Sequence, residues 1–130
     1  MAGRFLLDTH TFVWFIGADP RLSAQARAVV EEPESELFLS VASLWEIAIK
    51  FSLGKLALAR PFAEFIPEQL ERQSIGVLGV EIPDLAVVSK LPLHYRDPFD
   101  RLIIAQASTR ELPIVGVDET FDLYGVVRIW

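Results

Sequence analysis

Five short apolar runs alternate with segments of helical length, and this alternation leaves few folds open. The runs are Phe5-Leu6-Leu7, stopping at Asp8; Leu37-Phe38-Leu39, stopping at Ser40; residues 75–80; Ile114-Val115-Gly116-Val117, stopping at Asp118; and Val126-Val127-Arg128-Ile129. Runs this short and this rich in β-branched and aromatic residues read as strands buried on both faces. Between them, Ser23 is placed to cap a helix over 24–32, and Gly54 to stop one over 41–53. Residues 61–73 read as a helix with Pro61 in its first turn, and Asp97-Pro98 opens another that runs to Arg110 before Pro113. Strands alternating with helices mean βαβ units, hence a mostly parallel sheet covered on both faces: a three-layer α/β/α architecture.

With 130 residues there is room for one domain over 1–130, and no repeat or linker divides it. Apolar residues make up 52%, enough for a core without staples, and there is no cysteine. Disulfides, thiolate metal sites and a cysteine nucleophile are thereby excluded. Asp8 and His10 interrupt the apolar start before a signal-peptide core forms, and no run reaches the length of a membrane span. A soluble, cytoplasmic protein is expected.

In open parallel sheets, ligands bind beyond the carboxyl ends of the strands. Asp8, Ser40 and Asp118 end strands; Glu46, Asp97 and Asp100 lie in the first turns of helices, at that same edge. Each acid alone has a structural explanation. Asp8 and Asp118 suit helix caps, Asp97-Pro98-Phe99-Asp100 resembles a capping box, and Ser43-Leu44-Trp45-Glu46 matches the Ser-x-x-Glu box outright. Capping does not explain why several such acids fall on one edge. Carboxylates gathered in a cleft repel one another unless a cation sits among them. An all-oxygen set suits Mg²⁺ or Mn²⁺, and with only His10 and His94 and no cysteine a zinc site is disfavoured. Such a centre, without a Ser or Cys nucleophile, points to phosphoryl chemistry by metal-activated water. The net charge of −6 argues against RNA binding through basic residues alone. Setting four carboxylates aside as ligands leaves only −2 of it.

The stretches Leu6-Leu7-Asp8-Thr9-His10-Thr11, Ser40 to Lys50 with its Trp45-Glu46 pair, and His94 to Ala107 with Asp97-Pro98-Phe99-Asp100-Arg101 resemble the successive motifs of PIN-domain toxins of the VapC type. The resemblance runs from Phe5 to the C-terminus. It implies a PIN fold and a Mg²⁺-dependent endoribonuclease that forms a homodimer and is silenced by a cognate antitoxin. It also implies Asp8, Glu46 and Asp100 as the core metal-binding acids, with Asp118 as a fourth and more variable one. Ser40, Asp97 and Thr9 would support them, and Arg96 and Arg101 are candidates to hold RNA phosphate. Val117 stands where Thr or Ser more often precedes the fourth acid, which makes Asp118 the least typical member. The aromatic cluster Phe12, Trp14 and Phe15 is expected in the core or in a dimer contact. An antitoxin is expected to insert an Arg or Lys among the carboxylates.

Two other readings compete. A PIN-like fold kept as an RNA- or protein-binding module would ordinarily lack one of the acids, and none is missing. Asp8-Thr9-His10-Thr11 also resembles the Asp-x-Asp-x-Thr start of haloacid-dehalogenase-type phosphatases, but His10 stands in place of the second Asp. A response-regulator receiver would need a Lys near Val117-Asp118-Glu119, which offers none.

Overall fold

The computed structural model describes residues 3–95 and 97–130. Along the chain run β1 (Gly3–Leu7), α1 (Thr9–Ile16), α2 (Ala24–Glu31), β2 (Ser35–Ser40), α3 (Val41–Ser52), α4 (Phe62–Arg72), β3 (Ile75–Leu78), α5 (Ile82–Val88), α6 (Pro98–Arg110), β4 (Ile114–Val115) and β5 (Arg128–Ile129). A turn of 3-10 helix, Glu119–Tyr124, lies between the last two strands. The five strands form one sheet in the order β3-β2-β1-β4-β5, and every neighbouring pair is parallel. The chain first builds outward from β1 to β3, then crosses back to place β4 on the other side of β1. That reversal opens a crevice beyond the ends of β1 and β4.

Side chains alternate across the sheet as the strand period requires. Phe5, Leu7, Leu37, Leu39 and Ile75 pack on one face with Phe12 of α1, Val29 of α2, Ile47 of α3 and Ile66 of α4. Leu6 and Ile114 pack on the other with Ile103, Ile104 and Ala107 of α6 and with Phe121. Leu6 and Leu7 are fully buried, so β1 is covered on both sides and the three-layer expectation holds. No described helix is long and apolar enough to cross a membrane.

The helix starts follow local chemistry. Ser23 accepts from the Ala26 N–H at 3.0 Å and Ser40 from the Ala42 N–H at 3.0 Å, each fixing the first turn of the helix after it. Asp97 accepts from the N–H groups of Phe99 and Asp100 at 2.8 and 3.2 Å, with Pro98 as the first helical residue.

Three departures are informative. The run 75–80 is strand only to Leu78, because the Gly79 carbonyl turns to accept from Gln106 Nε2 at 3.1 Å on α6. The run 114–117 is strand only to Val115, and the run 126–129 only over Arg128–Ile129. At Gly116 the chain passes so close to its neighbours that an added Cβ would stand 3.1 Å from Cβ of Asp8 and 3.3 Å from the Phe121 ring. Finally, α5 carries no inward apolar stripe to announce it, since Ile82 and Leu85 face outward. It is held instead by Asp84, which accepts from the Glu81 N–H at 2.9 Å and pairs with Arg110 of α6 at 2.7 Å.

Candidate metal centre

β1 delivers Asp8 to the carboxyl edge as the last residue before α1. Its backbone takes the capping position, yet its side chain makes no capping bond. α3 begins at Val41, so Glu46 lies well inside the helix and outside any capping box; its carboxylate accepts from Lys50 at 2.8 Å. Ser43, the other half of that expected box, instead accepts from the Thr9 hydroxyl at 2.9 Å. That buried bond ties α1 to α3, and so ties Asp8 to Glu46. Asp100 stands on the first turn of α6, and its carboxylate accepts no hydrogen bond from a described residue. Asp97 and Asp118 are true caps: Asp118 accepts from the Thr120 N–H at 2.9 Å.

These side chains meet. Asp8, Thr9, His10, Glu46, Lys50, Asp97, Asp100, Asp118 and Phe121 line one cavity of about 180 Å³ at the crevice between β1 and β4. The crowding shows in the acid strengths. Burial pushes the Asp8 carboxyl up to about 6 against the pull of the Thr9 N–H, and the charges of Glu46, Asp118 and Asp97 add to the rise. Burial, and then Asp8, Asp97, Glu46 and Asp118, push Asp100 up to about 7. For Asp118 burial acts upward, but the Tyr95 hydroxyl, the Thr120 donors and Arg128 outweigh it and hold the group below its ordinary value. The Tyr95 hydroxyl is itself buried beside Asp118 without a well-formed hydrogen bond.

The donor set fits a hard divalent cation. Among the described residues no three acids or histidines close on a single point as direct ligands would. The cavity has room for several waters at roughly 30 Å³ each. Mg²⁺ keeps much of its water and needs only one or two carboxylates directly, so this open arrangement suits it.

Two expected site residues are placed elsewhere. The Ser40 hydroxyl is buried and spent as the α3 cap, outside the cavity wall. Arg101 does not offer its guanidinium to a substrate: it donates to the carbonyls of Val88, Leu91, Pro92 and Tyr95 at 3.0 to 3.2 Å, binding the end of α5 and the following loop to α6. Arg96 lies outside the described residues. Two polar residues outside the expected site set also line the cavity. Lys50 was legible as the residue four positions beyond Glu46 on a helix. His10 reaches the wall and stacks on Trp14, ring centres 5.5 Å apart.

The PIN domain family profile matches residues 5–126. The chain belongs to the PIN domain family. Over 66 residues this PIN domain is 41% identical to Ribonuclease VapC16 of Mycobacterium tuberculosis, a stretch covering 48% of the chain and 47% of that relative. The match thus spans about half the length of the curated relative. Solved structures share the fold over almost all of the PIN domain. VapBC2 from Rickettsia felis, bound to a DNA fragment from its promoter, superposes with a TM-score of 0.70 at 13% identity, covering 97% of each chain. FitAcB from Neisseria gonorrhoeae gives 0.63 at 18%, covering 95% of each. VapBC-5 from Mycobacterium tuberculosis, of the VapBC family of toxin-antitoxin systems, gives 0.60 at 19%, covering 96% of this chain and 98% of that one.

The raised Asp100 has a consequence for stability. Its folded-state value lies above its unfolded one, so the folded chain binds the extra proton between about pH 4 and 7, and the metal-free fold loses stability as pH rises through that window. Asp100→Asn removes the repulsion. In EDTA at about pH 8 it should stabilise the protein by roughly 1–2 kcal/mol, a figure reduced by the lost interaction with the α6 N-terminus. At about pH 4 most of the gain should vanish, because Asp100 is then protonated in the fold and about half protonated in the unfolded chain. Urea denaturation at the two pH values checks this; equal destabilisation at both would contradict it.

Proposed function

We propose that the chain is a Mg²⁺-dependent endoribonuclease that hydrolyses RNA phosphodiester bonds and acts as the toxin of a toxin–antitoxin pair. The observation that carries this reading is the convergence of Asp8, Glu46 and Asp100, none of them used as a cap, on one cavity with Asp118. The name of the relative matched over about half its length, a ribonuclease, supports RNA as the substrate. Asp8, Glu46 and Asp100 would hold the ion, directly or through its waters, with Asp118 beside them. When bound, it would polarise a phosphate oxygen and acidify an attacking water. The protein's own part is positioning. The Thr9–Ser43 bond fixes Asp8 against Glu46, and the Asp97 cap fixes the turn that carries Asp100. Thr11 donates to the Val115 carbonyl at 2.7 Å and holds α1 to β4, keeping Asp8 and Asp118 on the same crevice.

The same charge offers a route to inhibition. A cognate antitoxin that inserts an Arg or Lys among the carboxylates would gain charge-assisted hydrogen bonds and exclude the ion in one contact. Cleavage of a fluorogenic RNA in Mg²⁺ and in EDTA tests the activity. Asp8→Asn and Asp100→Asn should each lower the rate by about 100-fold or more, beyond what losing a supporting group costs. Cleavage that persists in EDTA or in Asp8→Asn would contradict the proposal.

We also assign the chain a homodimer, through a face other than the aromatic cluster after Asp8. Phe12 is fully buried in the core, and Trp14 and Phe15 pack against it. A continuous exposed apolar surface lies on α3 and α5. Val41, Trp45 and Ile49 form one stripe, with Trp45 64% exposed, and Ile82 of α5 is 82% exposed. Between the helices, Trp45, Leu85, Val88, Phe99 and Leu102 line an apolar cavity of about 350 Å³. A patch of this kind on a small domain marks an interface. Light scattering should give about twice the 14.6 kDa chain mass, and Leu85→Glu should return the monomer mass. A monomeric wild type at micromolar concentration would contradict the assignment.

A further inference from the structure

Lys50 is the one cationic side chain among the described residues that line the acidic cavity, His10 aside. It stands one turn beyond Glu46 on α3, and its Nζ donates to Glu46 Oε2 at 2.8 Å. This is more than a solvated pair along a helix surface. The Glu46 side chain is only 12% exposed while that of Lys50 is 40% exposed, so the lysine approaches from the open side and covers a sequestered carboxylate. Its ammonium also feels Asp97 and Asp100 across the cavity.

Among the described residues, the arginines of α6 and β5 are committed elsewhere. Arg101 holds four backbone carbonyls, Arg110 pairs with Asp84, and Arg128 pairs with Asp122 at 2.9 Å and with the Gly116 carbonyl at 3.2 Å. Among the described residues, a phosphate arriving at the cavity therefore meets a wall of carboxylates and one movable cation. Lysine is suited to such a post. Its compact charge rides on a flexible four-carbon stem and needs no fixed partner geometry, unlike the planar fork of arginine.

We propose that Lys50 exchanges partners: it neutralises Glu46 while the cavity holds no divalent ion, and it turns to a phosphate of the RNA once an ion takes the Glu46 oxygens. This rests on the reading of the cavity as a divalent-ion centre that cuts RNA. An ammonium and a divalent ion on one carboxylate repel each other strongly in a site this sheltered, so entry of the ion displaces the lysine. The displaced ammonium lies on the solvent side, where the nearest new anion is the substrate backbone. Lys50 thus lowers the affinity for the ion in the free protein and raises the affinity for RNA in the loaded one.

The exchange is tested with wild type, Lys50→Met and Lys50→Arg, using Mn²⁺ alone as the first probe and calorimetry as the readout. Lys50→Met should tighten Mn²⁺ binding by about three- to tenfold, since a competing charge is gone. The second probe is a nuclease-resistant 2′-O-methyl oligonucleotide, bound in Ca²⁺ and followed by anisotropy. There Lys50→Met should bind about three- to tenfold more weakly, and its dependence of log K on log salt should flatten by about 0.7, the value of one single-strand phosphate contact. Lys50→Arg should restore oligonucleotide affinity. Unchanged or weaker Mn²⁺ binding in Lys50→Met, or an unchanged salt slope, overturns the exchange and leaves Lys50 as a helix-surface ion pair. Failure of the underlying reading would show separately, in a wild type that binds neither Mn²⁺ nor the oligonucleotide.

Discussion

Asp8 ends the central strand of the sheet, one residue beyond the wholly buried Leu6 and Leu7. Its neighbours on both sides are fixed by the parallel register, with Leu39 and Val115 opposite Leu7. The carboxylate is therefore nearly buried and reaches solvent only through the cavity, and the Cβ of Asp8 abuts Gly116, the residue after β4. Around this immobile charge the fold places Glu46, Asp97, Asp100 and Asp118. Their mutual repulsion in a sheltered cavity, visible in the raised Asp8 and Asp100, is the constraint that the rest of the site answers. The Asp97 and Asp118 caps, the Lys50 pair on Glu46 and the Thr9–Ser43 bond all bear on that repulsion or on the geometry that enforces it.

Much of this arrangement could be read from the chain alone, because strand ends and helix starts are written locally. A run such as Leu6-Leu7-Asp8 fixes both a buried strand and the residue at its carboxyl end. What the sequence left open was which acids cap and which do not. Asp8, Glu46, Asp97, Asp100 and Asp118 all fit a capping pattern, and only the three-dimensional structure separates Asp97 and Asp118, which cap, from the other three. The Ser43–Glu46 box misled for a simple reason: Ser40 caps α3 three residues earlier, so Ser43 is already inside the helix and free to meet Thr9.

The misreadings share a cause. Arg101 looked like a phosphate ligand because it stands beside Asp100, but side-chain direction on a helix is set by what packs there, and the α5 carbonyls claim it. The helix α5 itself was missed because its stability comes from Asp84 and from Arg110, 26 residues away, rather than from an apolar stripe of its own. Lys50 escaped notice for the opposite reason. Its i,i+4 spacing from Glu46 is so common on helix surfaces that only the burial of Glu46 marks it as part of the cavity. Packing between elements, not local propensity, sets the role of each.

The central claim is that a chain of net charge −6 keeps its repelling carboxylates together to hold a divalent cation. Anomalous diffraction from a crystal soaked in Mn²⁺ tests it most directly. The account predicts a strong anomalous peak inside the cavity, with Asp8 and Asp100 nearest to it. No peak there at saturating Mn²⁺, with the acids still gathered around the cavity, would contradict it.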